Sequence, residues 1–101
     1  MSTYLVTLPV DFDKEPTKDY LSELNAALAS YDPRRKEGEL FWTRSSDTGT
    51  HTIRLVVEAD DERSAQQQAH KIANAALLDT GHTVLSARID DRFIDARPWT
   101  A

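Results

Sequence analysis

Along this chain the apolar pattern alternates between two periods. Stretches that repeat every second residue flank and separate two stretches that repeat every third or fourth, and that order limits the fold to a sheet with helices packed on it. Thr3–Val10 sets Tyr4, Val6, Leu8 and Val10 against Leu5, Thr7 and Pro9, as in a half-buried strand. Pro16–Tyr31 puts Leu21, Leu24, Leu28 and Tyr31 on one helical stripe, with Pro16 suited to the first turn and Asp32-Pro33 as the stop. Glu39–Ser45 and His51–Glu58 read as strands, joined by the turn residues Ser46-Asp47-Thr48-Gly49-Thr50 as an antiparallel hairpin. Asp60–Asp79 reads as a second helix. Asp60 or Asp61 can cap it, Ala65, Ala69, Ile72, Ala73, Ala76 and Leu77 give it a narrow stripe, and Gly81 suits the left-handed residue beyond its end. Thr83–Arg92 is the last predicted strand. The segment after it, with Phe93, Ile94 and Trp99, is too apolar to fray, so residues 93–101 are expected to dock as a C-terminal tail.

The chain has 101 residues, the size of a single domain spanning residues 1–101. Its order, βαββαβ, resembles the ferredoxin-like sandwich. That resemblance implies an antiparallel four-stranded sheet in spatial order 4-1-3-2 with two helices on one face; another α+β sandwich is the alternative. Alternation assigns Tyr4, Val6, Leu8, Ile53, Leu55, Val57, Leu85, Ala87 and Ile89 to the helix-covered face. The other, open face receives Leu5, Thr7, Phe41 or Trp42, Thr43, Thr52, Arg54, Val56, Val84, Ser86 and Arg88. Leu5, Val56, Val84 and an aromatic form a patch that wants cover. The cover is the tail through Phe93, Ile94 and Trp99, a second copy of the sheet, or a ligand. Leu5, Val56, Val84 and Trp99 are therefore the candidate interface residues.

Composition removes several functions. Without cysteine there is no disulfide framework, thiolate catalysis or cysteine-ligated metal. Twelve basic against 17 acidic residues give a net charge of −5, which argues against nucleic-acid and anionic-membrane binding. RNA-recognition domains share this topology but stack bases on aromatics of the central strands. The open-face positions here, Leu5, Thr7, Thr52, Arg54 and Val56, include none. No stretch is apolar enough to span a membrane and no leader is evident, so a cytoplasmic, bacterial-type protein is expected.

Candidate chemistry is sparse. Arg54 and Arg88 project from the open face and could clamp an oxyanion, with Phe41 or Trp42 lining the same ligand site. Asp11, His51 and His82 are expected to gather at one end of the sheet, where imidazole and carboxylate suit a divalent ion or acid–base work; turn-adjacent surface residues are the simpler explanation, and no metal is expected. His70 reads as a surface histidine. Arg34-Arg35-Lys36, followed by Glu37 and Glu39, reads as a solvated loop. Gly38, Gly49 and Gly81 are the only glycines, too few and too scattered for a phosphate-cradling loop. No catalytic constellation or cofactor site emerges. The expectation is a small non-enzymatic interaction module, homodimeric through the open face and binding a protein partner. Two other readings stand beside it: a dimeric α+β-barrel-type small-molecule binder or cofactor-free enzyme, and an acidic inhibitor or nucleic-acid mimic.

Overall fold

Strand β1, Ser2–Phe12, is the one on which the sheet is built. One side of it pairs with β3, His51–Ala59, from Ser2↔Ala59 to Val10↔His51. The other side pairs with two short strands in succession: β4, Ala87–Ile89, against Val10–Phe12, and β5, Asp95–Pro98, against Tyr4–Thr7. A 3-10 turn at Asp91–Phe93 separates β4 from β5. β2, Trp42–Arg44, pairs with the start of β3. The structure, a computed structural model, describes residues 2–31, 41–44, 50–81 and 86–99. Its architecture is α+β: an open antiparallel sheet of five strands and two helices, with neighbours in the order β2-β3-β1-β4 and β5 also on β1.

Three expectations are corrected. The sheet has a fifth strand where four were expected, because residues 95–98 of the C-terminal segment pair along β1. The last predicted strand is broken: β4 holds only Ala87–Ile89, and Asp90 caps the 3-10 turn by accepting the Arg92 backbone N–H. Helix α1 runs Lys18–Ala29 and is capped by Thr17, whose hydroxyl accepts the Tyr20 N–H at 3.1 Å. Pro16 therefore lies just before the helix. The hairpin turn at 45–49, the basic run Arg34-Arg35-Lys36 and residues 82–85 lie outside the described residues.

Helix α2, Glu62–Asp79, follows its sequence signals closely. Asp61 caps it through Ser64 N–H at 2.8 Å, and Gly81 beyond the C-terminus takes φ +96°. Ala65, Ala69, Ala73 and Ala76 are fully buried, and side chains this small let the helix axis lie close to the sheet. They share one core with Leu21, Leu24 and Leu28 of α1 and with the inward row Val6, Leu8, Val10, Ile53, Leu55 and Val57. Both helices thus cover one face. The Tyr20 hydroxyl bonds the Thr80 hydroxyl at 2.8 Å, joining the start of α1 to the end of α2. Partial burial raises the Tyr20 phenol's pKa above its ordinary value, partly offset by that hydrogen bond.

Candidate functional site

The pairing registers fix what the face away from the helices displays, because residues directly opposite in a ladder point the same way. Reading across β3, β1 and the β4–β5 edge, the described rows are Glu58–Thr3–Trp99, Val56–Leu5–Arg97 and Arg54–Thr7–Asp95. Thr52–Pro9 and Asp11–Arg88 follow, with Thr43 of β2 beside Thr52. Trp99 joins the first row because its backbone N–H donates to the Thr3 carbonyl at 2.9 Å. Leu5, Val56 and Trp99 thus form one apolar strip at one end. Val84 lies outside the described residues. Val56 is only 4% exposed in a single chain, so neighbours already shelter the centre of that strip. Phe93 adds no cover there: it sits on the 3-10 turn, 63% exposed, with the Arg92 guanidinium 5.5 Å from its ring centre. Ile94 packs toward the core.

The four residues proposed to line a ligand site are not brought together. Phe41 is buried in the core, and its backbone N–H donates to Asn25 Oδ1 of α1 at 2.7 Å. Trp42 faces the same side, opposite Ile53, and packs against the core. Neither lies on the open face: pairing with Ile53 turns Trp42 inward, and Phe41, which precedes the strand, is held in the core although its carbonyl accepts the Arg54 N–H. Arg54 and Arg88 do lie there, but on opposite sides of β1 and four positions apart, about 13 Å along the strand. They do not converge on one oxyanion. Among the described residues neither has an ion-pair partner. Asp90 instead engages Arg92 at 3.1 Å, which lowers the Asp90 carboxyl below its ordinary pKa. Arg97 is held by Asp95 at 2.6 Å.

Asp11 and His51 line one cleft of about 330 Å³ at the end of the sheet, with Phe12, Glu15, Thr50 and Asp90. His82 lies outside the described residues. His51 is 5% exposed, unlike the surface residue expected. Its ring packs edge-on to Phe12 at 5.2 Å and lies 3.5 Å from Glu15 Oε1. The sequence carried the signal, since His51 has the same parity as Ile53, Leu55 and Val57. No group of three acidic or histidine side chains among the described residues is spaced to hold a metal ion. His70 is a surface residue, paired through Nε2 with Asp91 at 3.1 Å. That pair borders a wide groove of about 620 Å³ between α2 and the 3-10 turn. No helix among the described residues is long and apolar enough to cross a membrane.

The chain matches no protein-family model, and comparison with curated proteins and with solved structures finds no significant match.

Proposed function

We propose that this chain is a cytoplasmic, ferredoxin-like interaction module, without catalytic activity, that binds a protein partner through the uncovered face of its sheet. The observation that carries the reading is the composition of that face. One end is an apolar strip, Leu5, Val56 and Trp99, and the rest combines threonines with both signs of charge. Apolar side chains beside hydrogen-bonding and charged groups are the mixture found on protein-binding surfaces. The β4–β5 edge supports the same choice of surface. Trp99 N–H donates to Thr3, so the alternation of the ladder turns the nitrogen of Pro98 away from β1, where it offers no donor to an incoming strand. The 3-10 turn interrupts the same edge. A partner is thus directed to the face and not to that edge.

Site-specific photocrosslinking tests this. A photoreactive residue at Thr43, exposed on the open face, is expected to give protein adducts in cells expressing the chain. The same residue at Gln67, exposed on α2, is expected to give none. Adducts from Gln67 alone, or from neither position, would overturn the reading.

A further inference from the structure

We infer that the occupant of the open face is a second copy of this chain, the two sheets packed face to face about a twofold axis; the inference rests on the interaction-module reading above. A twofold contact brings a patch against itself, so the patch must be complementary to its own copy. Charge is the hardest condition here. Each copy carries −5, and two such surfaces repel unless they meet where the charge cancels. Among the described residues the open face meets that condition. Arg54, Arg88 and Arg97 stand against Asp11, Glu58 and Asp95, three of each sign, and Asp90 at the margin is matched by Arg92. The acidic excess lies elsewhere, for example at Asp13, Glu15, Asp19 and Glu23 around the start of α1 and at Asp60, Asp61 and Glu62 around the start of α2.

The distribution of sign along the face also suits a copy. Each row that carries an arginine has an acid in the same row or the next: Arg97 beside Asp95, Arg54 across Thr7 from Asp95, and Arg88 across from Asp11. Arginines and acids are thus interspersed over the face, so a twofold contact need not set like charges against each other, while Leu5 and Trp99 at one end add the apolar area that remains accessible. Four strands about 4.8 Å apart and the eight residue steps from Thr3 to Asp11 make a face on the order of 500 Å² before side-chain relief, below the roughly 800 Å² per partner of a standard interface and in the size class of a weak, concentration-dependent dimer.

Sedimentation equilibrium on the full chain tests the inference. The wild type is expected to approach twice its 11.4 kDa as concentration rises from micromolar upward. Arg97→Glu replaces an exposed cation and makes the face net negative, and is expected to weaken the dimer by about tenfold or more. Leu5→Lys places a charge in the apolar strip and is expected to act in the same direction. Far-UV circular dichroism reports whether each variant is folded, and because Arg97 is exposed its substitution leaves the core intact. A folded wild type that stays monomeric at every concentration would overturn self-pairing. So would a dimer that Arg97→Glu and folded Leu5→Lys leave as tight as before, since it would use another surface. The Thr43 crosslink separates the two levels. An adduct of twice the chain mass supports self-pairing, and an adduct with a different protein sinks self-pairing but leaves the interaction-module reading standing. Absence of any adduct removes both.

Discussion

The two faces of the sheet are made by alternate residues of the same strands, yet they follow different rules. On the helix-covered side Val6, Leu8 and Val10 of β1 are buried against Ile53, Leu55 and the alanines of α2, and nearly every contact is apolar. On the open side Thr3, Leu5, Thr7 and Pro9 are all half-buried, and their neighbours are threonines and charges. The first face fixes the fold by volume and shape. The second is free to vary as long as the strands beneath it hold register, and its charge balance is a property of the surface rather than of the core.

Substitutions can break or sharpen this contrast. Leu8→Ala empties a fully buried site and is expected to cost about 2–5 kcal/mol in urea unfolding. Leu5→Ala, three positions earlier on the opposite face, is expected to cost less than half as much in the monomer; equal costs would erase the distinction. Ala69→Leu drives a larger side chain between α2 and the sheet and is expected to lose about 1–3 kcal/mol by overpacking. A neutral result would mean the helix does not lie as closely as its alanines imply. Thr17→Ala removes the α1 cap and is expected to cost about 1 kcal/mol in urea unfolding, a loss that falls on the helix-covered face where α1 packs.

Acid titration probes the same scaffold at a finer level. Asp61 accepts the Ser64 N–H, which holds its carboxyl below the ordinary carboxylate range. A folded value below the unfolded one stabilises above the unfolded pKa, about 3.9, and that contribution is lost as pH falls through the folded value. Asp61→Asn keeps a capping oxygen that does not titrate, so its urea midpoint should fall less than the wild type's between about pH 5 and about pH 2. Identical pH profiles would contradict the assignment. Phe93→Ser is expected to do least, within about 0.5 kcal/mol, because the ring is exposed and touches neither face.

Much of the helix-covered face was legible in the sequence. Period-two and helical stretches located β1, β3 and both helices, and the Asp60-Asp61 pair, the alanine stripe and Gly81 marked out α2, leaving only the choice of Asp61 as cap to the structure. What escaped depended on long-range pairing. β2 is three residues long, and nothing local says that both Phe41 and Trp42 turn inward; Ile53 opposite Trp42 sets the one, and Phe41 enters the core from the residue before the strand. Asp95–Pro98 reads as a charged, proline-ended tail, and it becomes a strand only because β1 offers it a free side. On the candidate site, parity alone placed Leu5, Arg54, Val56 and Arg88 on the open face. Bringing Arg54 and Arg88 to one ligand needed cross-strand distances that parity does not contain.

The central position of β1 also bears on how the chain acquires its structure during synthesis. Of the described elements β1 leaves the ribosome first, and its partners follow only from His51 onward on one side and from Ala87 onward on the other. Helix α1 can form while β1 waits, but the inward row Val6, Leu8 and Val10 stays without cover until β3 and α2 emerge, and the last backbone groups of β1 are satisfied only when residues 95–98 arrive. A nascent chain halted before residue 95 would therefore leave Tyr4–Thr7 of β1 without their second partner strand, and ribosome-bound chains of increasing length should gain native protease resistance in a late step rather than gradually.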